Sequence, residues 1–82
     1  MKTRAKQTYL LVERLTIVQE VIENGNYPSI ASLRRKVLDR LGTDVSIQTL
    51  RRDLSFIRSR MGIDIRYDTY RQGYYIEPAE SN

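Results

Sequence analysis

The sequence predicts a mainly α, α+β fold: three amphipathic helices followed by a two-stranded β-hairpin. Up to Met61 apolar residues recur at steps of three and four, and beyond Gly62 they alternate, which is a change from helical to strand period. Turn residues separate the periodic segments, at Asn24-Gly25-Asn26, at Gly42 and at Gly62. A chain of 82 residues forms one domain with one modest core. It contains no cysteine, so no disulfide supports the fold and the core rests on helix packing or on a partner.

The first helix is expected over Thr8 to Asn24. Leu11, Leu15, Val18 and Ile22 form its stripe, widened by Leu10, Ile17 and Val21. Asn24-Gly25-Asn26 supplies the C-cap and turn, because Gly and Asn tolerate left-handed backbone, and Pro28 stops the helix from continuing. Ser29 is an N-cap for the second helix, which buries Ile30, Leu33, Val37 and Leu41 and turns Arg34, Arg35, Lys36 and Arg40 away. Gly42 closes it, and Thr43-Asp44-Val45 makes a short connection. Ser46 caps the third helix, whose seam is Ile47, Leu50, Leu54, Ile57 and Met61, and Gly62 ends it.

In "IDIRY" the residues Ile63, Ile65 and Tyr67 share one face, and in "GYYIE" Tyr74 and Ile76 do the same. The polar "DTYRQ" between them is the hairpin tip, and Pro78 ends the second strand. Tyr67 and Tyr74 are expected in the core, because both lie on the inward face of the alternation. A lone hairpin is marginal in water, so its apolar face must pack on the helices. The domain therefore spans residues 9–78, with a basic arm at 1–8 and a frayed tail at 79–82. Lys2, Arg4 and Lys6 of that arm are read as disordered rather than as phosphate ligands.

Fourteen Lys and Arg against ten Asp and Glu give a net charge of +4, and eleven of the cations are arginine. The planar arginine fork fits phosphate and the guanine edge in a way lysine cannot copy. A merely soluble basic surface accounts for the composition equally well, so the position of the charges has to decide.

The third helix is the informative segment. At about 100° per residue, the side opposite its seam carries Gln48, Arg52, Ser55 and Ser59, flanked by Thr49 and Phe56 on one side and Arg51 on the other. Asp53 falls at the edge of the seam, placed to pair with an arginine of a neighbouring helix. The second and third helices, joined by a tight turn, make a helix-turn-helix in which the later helix enters a major groove by its N-terminus. Gln48, Thr49, Arg51, Arg52 and Ser55 are the expected base-reading residues, since Gln and Arg suit adenine and guanine edges. Ser29, Arg34, Arg35, Ser46, Arg58 and Ser59 are the expected backbone contacts. At the hairpin, Arg66, Tyr70, Arg71 and Gln72 would project beside the helix as a wing.

"SIQTLRRDLSFI", followed by "GIDIRYD" and "GYYIEP", resembles the N-terminal winged helix-turn-helix of bacterial WYL-domain transcriptional regulators, which are related to DeoR-type repressors. The family pattern Ser-x-x-Thr-[Val/Ile/Leu]-Arg-Arg-Asp-[Ile/Leu] is matched by Ser46, Thr49, Leu50, Arg51, Arg52, Asp53 and Leu54. Its wing pattern is matched by Gly62, Ile63, Ile65, Tyr67, Asp68, Gly73, Tyr74, Ile76 and Pro78. The resemblance covers about Tyr9 to Pro78. It implies sequence-specific binding of double-stranded DNA in the bacterial cytoplasm, with a homodimer on repeated half-sites. The sequence departs from the family in two ways. "LGTDVS" is two residues longer than the family's Leu-Gly-Val-Ser, which is expected to alter the angle between the helices. The effector-sensing WYL domain is absent, so the chain is expected to be an isolated DNA-binding domain or a small stand-alone regulator.

An enzyme is not expected. Without His or Cys the common nucleophile–base pairs are missing, and the carboxylates form no catalytic or calcium-loop motif. No cofactor, metal, membrane or small-molecule ligand is implied. The alternative reading is a winged helix that binds a protein or structured RNA, with Phe56 as its docking residue.

Overall fold

The computed structural model describes residues 2–78, with side chains for 9–78. Three helices, α1 (Lys2–Glu23), α2 (Ile30–Leu41) and α3 (Ile47–Arg60), precede two strands, β1 (Ile65–Asp68) and β2 (Gly73–Ile76). The strands form an antiparallel hairpin in which Ile65 faces Ile76 and Tyr67 faces Tyr74. This is the layout of a winged helix. The tail at 79–82 lies outside the described residues, as do the side chains of the basic arm.

The helix boundaries are set by local chemistry. Ser29 and Ser46 both adopt extended backbone, and each hydroxyl accepts a bond from the amide three residues on, at Ser32 and Thr49. Gly42 ends α2 in left-handed conformation, with φ 73, and its N–H returns to Leu38 O at 2.8 Å. The backbone of α1 is helical from Lys2, six residues before the Thr8 start that the apolar spacing predicts. The segment "KTRAKQT" contains no Gly, Pro or β-branched run to oppose this.

The core joins all five elements. Leu15, Ile17, Val18 and Ile22 of α1 meet Leu33 and Val37 of α2, Leu50, Leu54 and Ile57 of α3, and Ile65 and Tyr74 of the hairpin. Every buried side-chain nitrogen or oxygen among the described residues has a hydrogen-bond partner. Several expected core residues stay outside. Leu10 and Leu11 are exposed, because α1 is about 33 Å long whereas α2 and α3 reach only about 18 and 21 Å. Met61 is exposed as well: α3 ends at Arg60, and the seam closes at Ile57, whose carbonyl accepts the Met61 and Ile63 amides.

Tyr67 is also a correction. It shares a face with Ile65 as expected, but it lies toward the tip, past the end of the helical layer, and is exposed. Its ring instead stacks edge-on against buried Tyr74, with centroids 4.9 Å apart.

Beyond Ile65 and Tyr74 in the core, the hairpin is held by the turn between α1 and α2. Gly25, Asn26 and Tyr27 all have positive φ, and this left-handed run brings the Tyr27–Pro28 backbone along the free edge of β2. The Tyr74 amide donates to Pro28 O at 2.9 Å. Gly73 passes so close that a Cβ there would sit 1.8 Å from Tyr27 O, so only glycine fits without moving backbone. The Tyr27 ring lies 5.5 Å from that of Tyr75, and the Arg71 guanidinium rests over it at 4.6 Å. Gly73→Ala is therefore expected to lower the urea midpoint by the equivalent of roughly 1–3 kcal/mol, as overpacking does. It should also shift the Tyr27 and Tyr75 ring resonances more than those of the α3 core. An unchanged midpoint and unshifted rings would show that β2 has room to move.

Candidate nucleic-acid interface

The outward side of α3 is built by removing its one acid. In "IQTLRRDLSFIRSR" the single carboxylate is Asp53, and it is only 4 % exposed. Arg14 of α1 grips it with two parallel bonds, Nε to Oδ2 at 2.6 Å and Nη2 to Oδ1 at 3.0 Å. This is the expected pairing of Asp53 with a neighbouring helix, and the structure identifies α1 as that neighbour. The bond to Asp53 raises the Arg14 pKa above its ordinary value, against the opposing effect of burial. With both groups satisfied, the ion pair fixes the rotation of α3 about its own axis.

What then faces solvent is Gln48, Arg51, Arg52, Ser55, Phe56, Arg58, Ser59 and Arg60. Among the described residues no carboxylate lies within 4.0 Å of Arg51, Arg52 or Arg60, or of Arg35 and Lys36 on α2. Gln48, Arg51, Arg52 and Ser55 thus sit together on one exposed face, with side chains free to be reoriented by a ligand. Thr49 is half-buried at its margin, its hydroxyl accepting from Ser46 Oγ at 3.0 Å.

The expected backbone set is divided. Arg35 is exposed and unpaired, but Arg34 is clamped by Asp44 through bonds of 2.9 and 3.0 Å. That clamp raises the Arg34 pKa and lowers that of Asp44, each chiefly through the shared bond. Asp44 belongs to the longer α2–α3 connection, so part of the extra length ties the turn to α2. The Ser29 and Ser46 hydroxyls are occupied as helix caps. Arg58 donates from Nε to Ile65 O at 2.9 Å, which fastens α3 to β1, and Ser59 donates to Ser55 O at 2.8 Å.

The wing presents Tyr70, 91 % exposed, at its tip. Its arginines have local partners. Arg66 bonds Asp64, at 2.9 Å from Nη2, which raises the Arg66 pKa, and Arg71 bonds Asp68 at 3.0 Å. Gln72 is exposed and takes left-handed backbone, φ 57, where the turn re-enters β2. Asp68 organises the tip: its Oδ1 accepts the amides of Tyr70 and Arg71 at 2.9 and 3.0 Å. Tyr27 and Gly73, which decide where the wing points, were not singled out in sequence as site residues. The signal was present as a glycine opening a strand and a tyrosine just before a turn proline.

No group of three or more potential metal ligands gathers among the described residues, and no described helix is long and apolar enough to cross a membrane. The chain matches no family model, no curated protein and no solved structure.

Removing one partner of the buried pair should be costly. Asp53→Ala leaves the Arg14 guanidinium without its acceptor and should lower unfolding free energy by roughly 3 kcal/mol, the low end for a broken buried pair since Arg14 keeps some solvent contact. Arg14→Leu with Asp53→Leu should recover most of that loss in urea denaturation. A double variant no better than Asp53→Ala would show that the pair's neighbours, not the pair, set the cost.

The Asp68 carboxyl is lowered, first by the bond from the Arg71 amide. A lowered folded value means its contribution is present above the free-carboxyl range near 3.9 and fades as pH falls through the folded value. Carboxyl-detected NMR should find Asp68 titrating below that range, with the Tyr70 and Arg71 amides shifting at the same midpoint. An ordinary midpoint would mean the tip is not held by Asp68.

Proposed function

We propose that this chain is a sequence-specific binder of double-stranded DNA that acts in bacterial transcription regulation, with the N-terminal half of α3 in the major groove and the wing on the adjacent backbone or minor groove. The observation that carries this reading is the acid-free exposed face of α3, from which Asp53 is withdrawn into the pair with Arg14. Gln48, Arg51, Arg52 and Ser55 are the base-reading group, because their side chains have no ion-pair partner to give up on binding. Arg35, beside Asp44 and Ile47 at the start of α3, and Arg60 add positive charge suited to phosphates. Arg34, Arg66 and Arg71 would have to exchange a carboxylate for a phosphate, so they contribute less. The resemblance to the WYL-family winged helix points the same way and adds the cytoplasmic, bacterial setting.

A second reading has one observation behind it. Phe56 is 44 % exposed beside the basic face, which suits a protein or RNA partner. Selection from a random duplex pool separates the two: an enriched motif supports DNA reading, and no enrichment sinks it. With the selected duplex, affinity should fall steeply with salt as phosphate contacts release counterions. Arg52→Ala should cost about 1–3 kcal/mol on the selected site and relax preference at one base position, as expected for a base-reading arginine. Unchanged preference would remove Arg52 from that role.

A further inference from the structure

The connection between α2 and α3 carries an acid that holds one of the two arginines beside it. Asp44 binds Arg34 through two parallel bonds, Nε to Oδ1 at 2.9 Å and Nη2 to Oδ2 at 3.0 Å. Both side chains are about half exposed, at 43 % and 55 %, so the pair is open to exchange with a ligand. Together with Arg35 they line a groove of about 320 Å³ whose other walls are Ala31, Leu38 and Ile47. Ile47 opens α3, and the next residue is Gln48 of the base-reading group. With the N-terminal half of α3 in a major groove, the flanking strand therefore passes at this groove of the protein. A carboxylate offers Arg34 the same charge and two-oxygen fork that a phosphodiester would.

We propose that Asp44 stands in for a phosphodiester in the Arg34 half of a two-arginine phosphate site, and so limits the sequence-independent part of DNA affinity. This rests on the DNA reading above and adds to it an internal competitor for the backbone. The pair stays closed on a duplex. If Arg34 moved to a phosphate, Asp44 would be left unpaired beside the same anion, and that like-charge contact would offset the gain. Arg35, with no carboxylate within 4.0 Å among the described residues, makes the phosphate contact alone. Phosphate contacts carry no sequence information, so the restraint falls equally on every duplex. Discrimination between sequences stays with Gln48, Arg51, Arg52 and Ser55. Exposed ion pairs add little to folding, so the effect of Asp44 is read in binding and not in unfolding.

The test is binding of the full chain to the selected duplex and to a random-sequence duplex of equal length, each over a salt series. Asp44→Asn should tighten both by about fivefold and steepen the slope of log affinity against log salt by about 0.9, the mark of one added phosphate contact. The ratio of the two affinities should not change. Arg34→Gln alone should alter either affinity by less than about twofold, and combined with Asp44→Asn it should abolish the gain. Circular dichroism of all three variants should match that of the parent chain. No tightening, a gain confined to one duplex, or a full gain that persists without Arg34 would each overturn the proposal. The last result would make Asp44 a plain repelling charge. Failure of the parent chain and of Asp44→Asn to bind any duplex would sink the DNA reading itself, and the proposal with it.

Discussion

Arg14 and Asp53 meet through two parallel N–H···O bonds between α1 and α3, and the character of the exposed surface depends on that meeting. A carboxylate among Arg51, Arg52, Arg58 and Arg60 would otherwise find its partner on its own helix and cancel charge there. Because Asp53 is turned inward instead, it must be matched by a cation from another element, or burial would make it too costly. Arg14 reaches it from the longest helix of the domain. The pair thus does two things at once. It orients α3 against α1, and it leaves the positive charge of α3 uncompensated.

Elsewhere the charge is treated differently. On the wing and around the α2–α3 turn, arginines are matched by nearby aspartates: Arg34 by Asp44, Arg66 by Asp64 and Arg71 by Asp68. Exposed pairs of this kind add little stability, but they flatten the local potential and hold turn geometry. The net +4 is therefore unevenly spread, with unpaired cations gathered on the solvent side of α3. A uniformly basic surface would attract any polyanion without preference; a concentrated one gives an approaching polyanion an orientation.

Much of this was legible from residue order. Helical period and turn residues located all three helices and both strands, and the angular position of Asp53 on α3 foretold that it would leave the exposed face. The failures share one cause, since periodicity says which side a residue is on but not whether anything covers that side. Leu11, Met61 and Tyr67 each lie on the correct face and each extend past the end of the layer that would bury them. The Arg14 partnership and the approach of Gly73 to Tyr27 are long-range contacts that no local pattern encodes. Pairing of Arg66 and Arg71 with neighbouring aspartates was readable in principle from spacing alone, and it alters what the wing can offer a ligand.

The contact between Tyr27 and Gly73 also bears on the order in which the molecule assembles and comes apart. Helices gain their stability from nearby residues, whereas the hairpin root must wait for segments far apart in the chain to meet, which is the slower kind of event. The hairpin is tied to the turn by one backbone bond, one stacked arginine and a pair of tilted rings, and to the helices through Ile65 and Tyr74 in the common core. The angle at which the hairpin meets the helices is thus set by three left-handed residues at the end of α1.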